Sequence, residues 1–438
     1  MVPQNYVRII RLAFPIILAN ASIPLLGLAD TATIGQTGTA ADLGAIALAS
    51  LIFNFVYWGF GFLRMGTTGF VSQAIGAGDT EEAHALLFRS VLLGGTIGLA
   101  LILLQPLIGT GAIALLKAGD EIKSLVGTYF YIRIWGAPAT LITFALLGTF
   151  IGAGWTKSLL AVQLFLNGLN ILLNVLFVVG YGLGVAGIAL GTVLAEWCTF
   201  FFAAYLLITK LQFGHLGQRF RQLRARVFNK AKLVALVEVN GNIMIRTLAL
   251  LTGFAWFANQ GAGFGDDVLA ANHVLLQFVS LSAFFLDGYA HVAEMLAGTA
   301  YGARDKVSFD VQVRHSTVLA GVTALVLAGL VYLFSGQLVP LLTKDVQVQA
   351  VALAHRAYAV IYIAVSFAAF QLDGVFIGVT KTLEMRNATV AALLVFIGVA
   401  LLIASAYGNA GLWVSFIIYV IARAVMLGVY YPRIMRAL

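Results

Sequence analysis

Charge is what this sequence has least of. Only 10% of its 438 residues are Asp, Glu, Lys or Arg, against about 25% in a soluble globular chain. Cysteine is nearly absent: the single Cys198 excludes an intrachain disulfide and leaves the redox compartment unreadable. No GxxxxGK[ST] phosphate loop occurs, so an ATP-driven engine built on that motif is not expected. The N-terminus, MVPQNYVRII, lacks a cleavable signal pattern, so the first apolar stretch is expected to be retained. Hydrophobic residues fill the space left, at 61% of the chain, and mean hydropathy is +0.97. These values describe an all-α polytopic membrane protein.

A spanning helix needs about 20 largely apolar residues. Twelve such stretches are expected, near 9–34, 43–72, 88–115, 122–152, 159–179, 187–209, 233–259, 268–300, 317–339, 347–378, 389–406 and 411–431. Alternate ends carry the basic residues. Arg8, Arg11, Arg89, Lys157, the Lys and Arg of the 210–232 stretch, Arg304, Lys306, Arg314, Lys381, Arg386, Arg433 and Arg436 make 18 of the 26. The opposite loops hold only Lys117, Lys123 and Lys344. The positive-inside rule then puts both termini and the 210–232 loop in the cytoplasm, with the chain in the cell (inner or plasma) membrane. The net charge of +8 is thereby a topology signal, and nucleic acid is not expected as a partner. The basic loop reads as a solvated linker in preference to a nucleotide or headgroup site.

The sequence repeats itself. GTFIG at Gly148–Gly152 returns as GVFIG at Gly374–Gly378, and QAIGAGD at Gln73–Asp79 returns as TAYGARD at Thr299–Asp305, both shifted by 226 residues. GVAGIAL at Gly184–Leu190 returns as GNAGLWV at Gly408–Val414, shifted by 224. Three matches in order at one spacing imply two homologous lobes of six helices, 1–209 and 233–438, joined by the linker 210–232. An even number per half makes them parallel repeats, the arrangement of transporters that bind substrate between their halves.

One stretch stands apart. Ile16–Ile34 is apolar yet carries Asp30 and Pro24, with Pro15 at its start. A carboxylate within a span is costly, by roughly 2.5–3.5 kcal/mol on insertion scales, and proline bends a helix. The combination suits a moving part. The plainer readings are a helix cap for Asp30 and a static kink for Pro24.

Further ionisable residues fall within spans. Arg64, Arg133, Arg356, Arg423, Glu196 and Glu294 read as groups paired for assembly. Glu238, Arg246, Asp287 and Asp373 read as one polar cluster of the second half: Glu238 and Arg246 share a span eight residues apart, and Asp287 and Asp373 sit in LDG motifs. That cluster is either functional or structural. In the first half, Asn167, Asn170 and Asn174 follow i, i+3, i+7 spacing and share a helix face. They either glue helices together or line a polar cavity around Asp30. Phe53, Tyr57, Phe60, Tyr131, Trp135 and Phe284 are packing bulk, or as a group they face a flat cationic ligand.

GLADTATIG, SQAIGAGD, the asparagine face and the LDG motifs, in this order, resemble the multidrug and toxic compound extrusion (MATE) transporters, particularly their DinF-like branch. The resemblance covers essentially the whole chain. It implies two six-helix lobes in a V, and export of cationic or amphipathic organic compounds in exchange for inward H⁺ or Na⁺, with no further cofactor and a monomeric chain in the bilayer. It matches Asp30 to the family's acid on the first helix, and Asn170 and Thr192 to polar ligands near it. Asn174 stands where some members have a second acid, which favours H⁺ over Na⁺ as coupling ion, since hard cations prefer several charged oxygens. Glu238 and Asp373 fall where other branches bind Na⁺. In this scheme protonation of Asp30 lets the first helix bend at Pro15 or Pro24. Two rivals remain: a lipid-linked precursor flippase of similar design, disfavoured because membrane acids outnumber bases six to five, and an intramembrane aspartyl protease, which lacks its GxGD motif here. No enzyme activity is expected.

Overall fold

A chain this apolar must satisfy its backbone within each segment, and helices do so. The computed structural model describes residues 2–24, 30, 32–35, 38–116, 118–211 and 216–438, and among them it is helical with no strand. The elements are α1 (Val2–Ala21), α2 (Ala40–Gly59), α3 (Phe62–Gly76), α4 (Thr80–Leu103), α5 (Gln105–Leu115), α6 (Asp120–Arg133), α7 (Ala137–Gly152) and α8 (Thr156–Val175). They continue as α9 (Gly184–Leu211), α10 (Leu216–Val227), α11 (Lys230–Ala262), α12 (Asp266–Gly302), α13 (Lys306–Leu342), α14 (Val346–Gly378) and α15 (Thr382–Ala437). Among the described residues, ten stretches are long and apolar enough to cross a membrane. The last contains a break: Gly408 takes φ 57°, ψ −137°, which a helix does not allow. Asn272 and Asn409 exchange hydrogen bonds at 2.7 and 3.0 Å beside it, and Trp413 Nε1 donates to Asn272 at 2.8 Å.

Several expected boundaries change; 43–72 and 122–152 each divide into two helices, and 389–406 and 411–431 lie in one element broken at Gly408. The stretch 88–115 is two helices, because Pro106 sits at a helix N-terminus, where its missing N–H costs nothing, and starts α5 afresh. The stretch 9–34 gives α1 and then a turn at Ser22; residues 25–29 and 31 lie outside the described residues. The linker is not a plain solvated loop. Its α10 has Phe220, Leu223 and Val227 on one face, packed against Ala85 and Phe88 of α4.

The sequence repeats become repeated backbone contacts. A Cβ on Gly148 or Gly152 would lie 2.4 or 2.9 Å from the carbonyl oxygens of Arg64 and Thr68. Added to Gly374 or Gly378, it would lie 2.3 or 2.2 Å from those of Ala290 and Glu294, the residues 226 further on. Both GxxxG pairs thus let one helix lie directly on another. Asp79 and Asp305 cap α4 and α13 alike, accepting from Glu82 N–H at 3.0 Å and Ser308 N–H at 2.9 Å. Gly78 and Gly154 take φ of 72° and 73°; their counterparts, Arg304 and Thr380, are the positive-φ non-glycine residues among the described residues, at 54° and 56°. The second copy thus keeps the left-handed turn without the residue that best suits it.

By contacts the chain divides into two compact units. One contains 1–17, 72–78 and 238–438; the other contains 18–71 and 79–237. The repeat boundary near 210–232 and the contact boundary therefore differ, since the end of α3 groups with the second half. There Gly76 and Gly302 are reciprocal. A Cβ on Gly76 would meet Thr299 O at 2.0 Å, and one on Gly302 would meet Gln73 O at 2.1 Å. Positions 73 and 299 are themselves repeat partners, so this is a two-fold contact of the kind isologous interfaces make.

Candidate functional site: a buried acid on an asparagine ladder

In the unit built from 18–71 and 79–237, Asp30 is helical and only 8% exposed. Its Oδ1 accepts the side-chain amide of Asn174 at 2.6 Å. The same amide donates to Asn170 Oδ1 at 2.8 Å; Asn170 donates to Thr192 Oγ1 at 3.0 Å, and Thr192 donates to Ile188 O at 2.8 Å. The chain of bonds runs from the acid across α8 into α9. Asn167, one turn below, donates to Ser22 O at 3.1 Å and to Ser22 Oγ at 2.7 Å. It thus ties α8 to the turn that ends α1. Proline 24 has no N–H to give, so this stretch of backbone loses a helical bond. The asparagine face therefore both holds the turn at the end of α1 and partners Asp30.

Position 191 lets Asn174 reach Asp30. A Cβ on Gly191 would stand 2.2 Å from Asn174 Oδ1. That oxygen is buried with no hydrogen-bond partner among the described residues. Burying an amide oxygen without a partner costs about 1–3 kcal/mol, so the site holds an open acceptor beside the acid.

Behind the ladder lies a second layer. Arg133, whose charge acts on Asp30, pairs with Glu196 at 3.3 Å and donates to Tyr129 OH at 2.7 Å. Its guanidinium lies 4.9 Å from the Phe53 ring centre, 5.8 Å from Tyr57 and 5.7 Å from Tyr129. Phe53 and Tyr57 are thus buried walls of an arginine box, while Tyr131 and Trp135 are exposed and Phe60 and Phe284 are half-buried. Nothing in the local sequence linked Arg133 to Asp30; the two are brought together only by tertiary packing.

The acid of the other unit is held differently. Asp373 Oδ2 accepts from Arg246 and, at 2.6 Å, from Arg423. Arg423, expected elsewhere as a pairing residue, is the missing member of the second-half cluster. Glu238 is exposed, and Asp287 is half-buried; neither is among the groups bonded to Asp373. A carboxylate between two guanidiniums is a poor start for a Na⁺ cage with Glu238. Among the described residues no three His, Cys, Asp or Glu converge to hold a metal. Pro15 is buried inside α1 and Pro24 is exposed beyond its end.

An acid on an amide ladder inside a bundle of apolar spans is the kind of site membrane transporters carry. The MatE family profile matches residues 15–176 and 253–402. The DNA damage-inducible protein F of Escherichia coli is 33% identical over 425 residues, 96% of this chain and 91% of that protein. The probable multidrug resistance protein NorM of Thermotoga maritima is 26% identical over 351 residues, 79% of this chain and 74% of its own. Among solved structures, an outward-facing multidrug resistance MATE family transporter of the MOP superfamily superposes with a TM-score of 0.89 at 20% identity, covering 99% of this chain and 96% of that one. The chain belongs to the MATE family of multidrug efflux transporters. It is a multi-pass membrane transporter and not an enzyme.

Proposed function

We propose that this protein is a secondary active exporter of cationic or amphipathic organic compounds, driven by inward protons that bind at Asp30. It sits in the cell membrane with both termini cytoplasmic. The observation that carries the reading is the partnering of Asp30: a buried carboxylate bonded to a neutral amide, with a vacant acceptor, Asn174 Oδ1, in the same residue. A neutral Asp30 gains an O–H donor, and Asn174 Oδ1, in the residue it already bonds, is an acceptor without a partner among the described residues. The ionised and neutral acids therefore favour different arrangements of the ladder. Because Asn167 and Asn174 share a helix face, a shift at Asn174 is felt at Ser22, where α1 ends. Protonation then bends the helix around Pro24, and deprotonation on the inner side resets it. The membrane potential adds roughly 2.3 kcal/mol per 100 mV if a full charge crosses.

Proton coupling, rather than sodium coupling, is favoured by the single carboxylate in the ladder. The test uses proteoliposomes loaded with a fluorescent organic cation. An imposed inward proton gradient should drive efflux in the wild type and not in Asp30→Asn, while Asp30→Glu keeps part of the rate. Wild-type efflux in the Asn variant sinks the proton-carrier role. Efflux that follows a sodium gradient at fixed pH reassigns the ion.

A further inference from the structure

The linker helix carries two kinds of arginine. On one flank of α10, Arg226 pairs with Asp79 at 3.0 Å and with Glu81 at 3.1 Å, and Arg219 lies 3.3 Å from His84 Nδ1. Lys232, just past the helix, pairs with Glu82 at 2.5 Å. Together with Phe220, Leu223 and Val227, these groups fix α10 to the start of α4. The opposite flank is different. Arg221 and Arg224, three residues apart and so on one side of the helix, are exposed, and their guanidiniums make no ion pair or hydrogen bond among the described residues. One turn further on, Phe228 is 54% exposed, its ring edge-on to Phe220 at 6.2 Å. The chain that leads into the helix, residues 212–215, contains no acid to neutralise them.

Its position says what the flank meets. The helix follows α9 by four residues and precedes α11 by two, and both of those are apolar spans. It also packs on the first turns of a third span, α4. It is therefore placed where spans leave the bilayer, with two cations and an exposed aromatic ring on its outer flank. Arginine matches phosphate geometry in two-point contacts, and an aromatic ring settles at the headgroup level. Juxtamembrane basic residues gain about tenfold or less each in affinity for anionic lipid.

We infer that the Arg221–Arg224–Phe228 flank of α10 binds the headgroup of an anionic phospholipid in the leaflet on the basic side of the membrane. The docked flank holds the helix still while the free flank takes the phosphate. The linker between the two repeats is thus anchored twice, to α4 by protein contacts and to the bilayer by lipid.

Native mass spectrometry of the whole detergent-purified chain tests this, with phosphatidylglycerol or phosphatidylcholine titrated in. The wild type should retain a phosphatidylglycerol adduct that phosphatidylcholine does not replace. The double variant Arg221→Gln, Arg224→Gln should bind phosphatidylglycerol on the order of tenfold more weakly; Arg221→Lys with Arg224→Lys should keep most of the affinity. Both positions are exposed, and an unchanged thermal transition of each variant shows that the fold is intact. Equal phosphatidylglycerol binding in the wild type and the Gln variant overturns the inference. So does displacement of the lipid by excess inorganic phosphate, which would make the flank a site for free anions.

Discussion

Asp30 and Asp373 are both buried acids, and their partners give them different work. Asp373 lies between the guanidiniums of Arg246 and Arg423, which makes it part of a structural ion-pair cluster. Removing one side of a buried ion pair typically costs 3–5 kcal/mol, because the other charge is left uncompensated. Asp373→Asn should therefore lower the thermal transition of the purified protein by well over ten degrees or abolish folding, as followed by tryptophan fluorescence. Among the described residues the Asp30 carboxylate is bonded by a neutral amide, so Asp30→Asn should leave that transition nearly unchanged while changing transport. Gly191→Ala tests the ladder without touching an ionisable group. Its methyl group displaces Asn174 Oδ1, and gradient-driven efflux should fall by on the order of tenfold with the fold retained.

How much of this the sequence makes legible follows from range. The i, i+3, i+7 asparagines share a helix face, as a periodic spacing within one helix should. The acid–amide meeting could be suggested only through matched depth. Arg133 could not, because it reaches Asp30 through packing of α6 that no local pattern records. Glu238 shows the opposite limit. Eight residues from Arg246 is a little over two turns, which rotates it by about 80°; Arg246 is buried and Glu238 is exposed. Arg423 was readable as a buried charge but not as the partner of Asp373, fifty residues away.

At the scale of elements, the repeated turns show what duplication preserves. Backbone geometry is kept where residue identity is not: Arg304 and Thr380 occupy the left-handed positions that Gly78 and Gly154 hold in the first copy. Such a conformation costs a residue with a Cβ about 1 kcal/mol or more. Arg304→Gly should therefore raise the apparent Tm by a few degrees. Thr380→Gly should gain less or nothing, because Thr380 Oγ1 accepts the Gln73 amide at 3.2 Å, and a bond of that kind is worth about 1 kcal/mol. If both variants gain equally, the hydroxyl has no structural role.

The docking of α10 is also an element-scale device. The Glu82 N–H and the Arg226 guanidinium hold the Asp79 carboxyl below the usual carboxylate range, against a smaller opposing effect of burial. A carboxylate with a lowered pKa contributes its stability above its unfolded value, and loses it as pH falls through the folded one. A nitroxide attached at Ala225→Cys, in a Cys198→Ser background, should therefore become more mobile as pH drops below about 4. At pH 7 it should become more mobile in Asp79→Asn. Surface ion pairs are weak singly, near 0–1 kcal/mol, so the aromatic and aliphatic contacts of Phe220, Leu223 and Val227 should limit the change to local loosening. The basic composition of 210–232 suggested a solvated linker; the apolar i, i+3, i+7 trio within it carried the helix and was hidden by the charge around it.

Across the whole molecule, the backbone is symmetric and the polar chemistry is not. The GxxxG crossings, the aspartate caps and the reciprocal Gly76 and Gly302 contacts recur at a constant shift. The position 226 residues after Asp30 is Trp256, and the one 226 before Asp373 is Leu147. The repeat supplies a common scaffold, and each half carries its own buried acid on it. Family membership, through the MatE profile and the relatives described above, agrees with a transporter built on that scaffold. The lobes, expected from the repeats at 1–209 and 233–438, stand as a reading of ancestry, and the contact units follow packing instead.

Proton-coupled export requires Asp30 to exchange a proton as substrate comes and goes. Proton release on substrate binding reads this directly. The purified protein in weakly buffered detergent solution is mixed with a lipophilic organic cation, and a pH indicator follows the medium. The wild type should release protons on binding, and Asp30→Asn should bind the cation and release none. Undiminished release from the Asn variant would contradict the account.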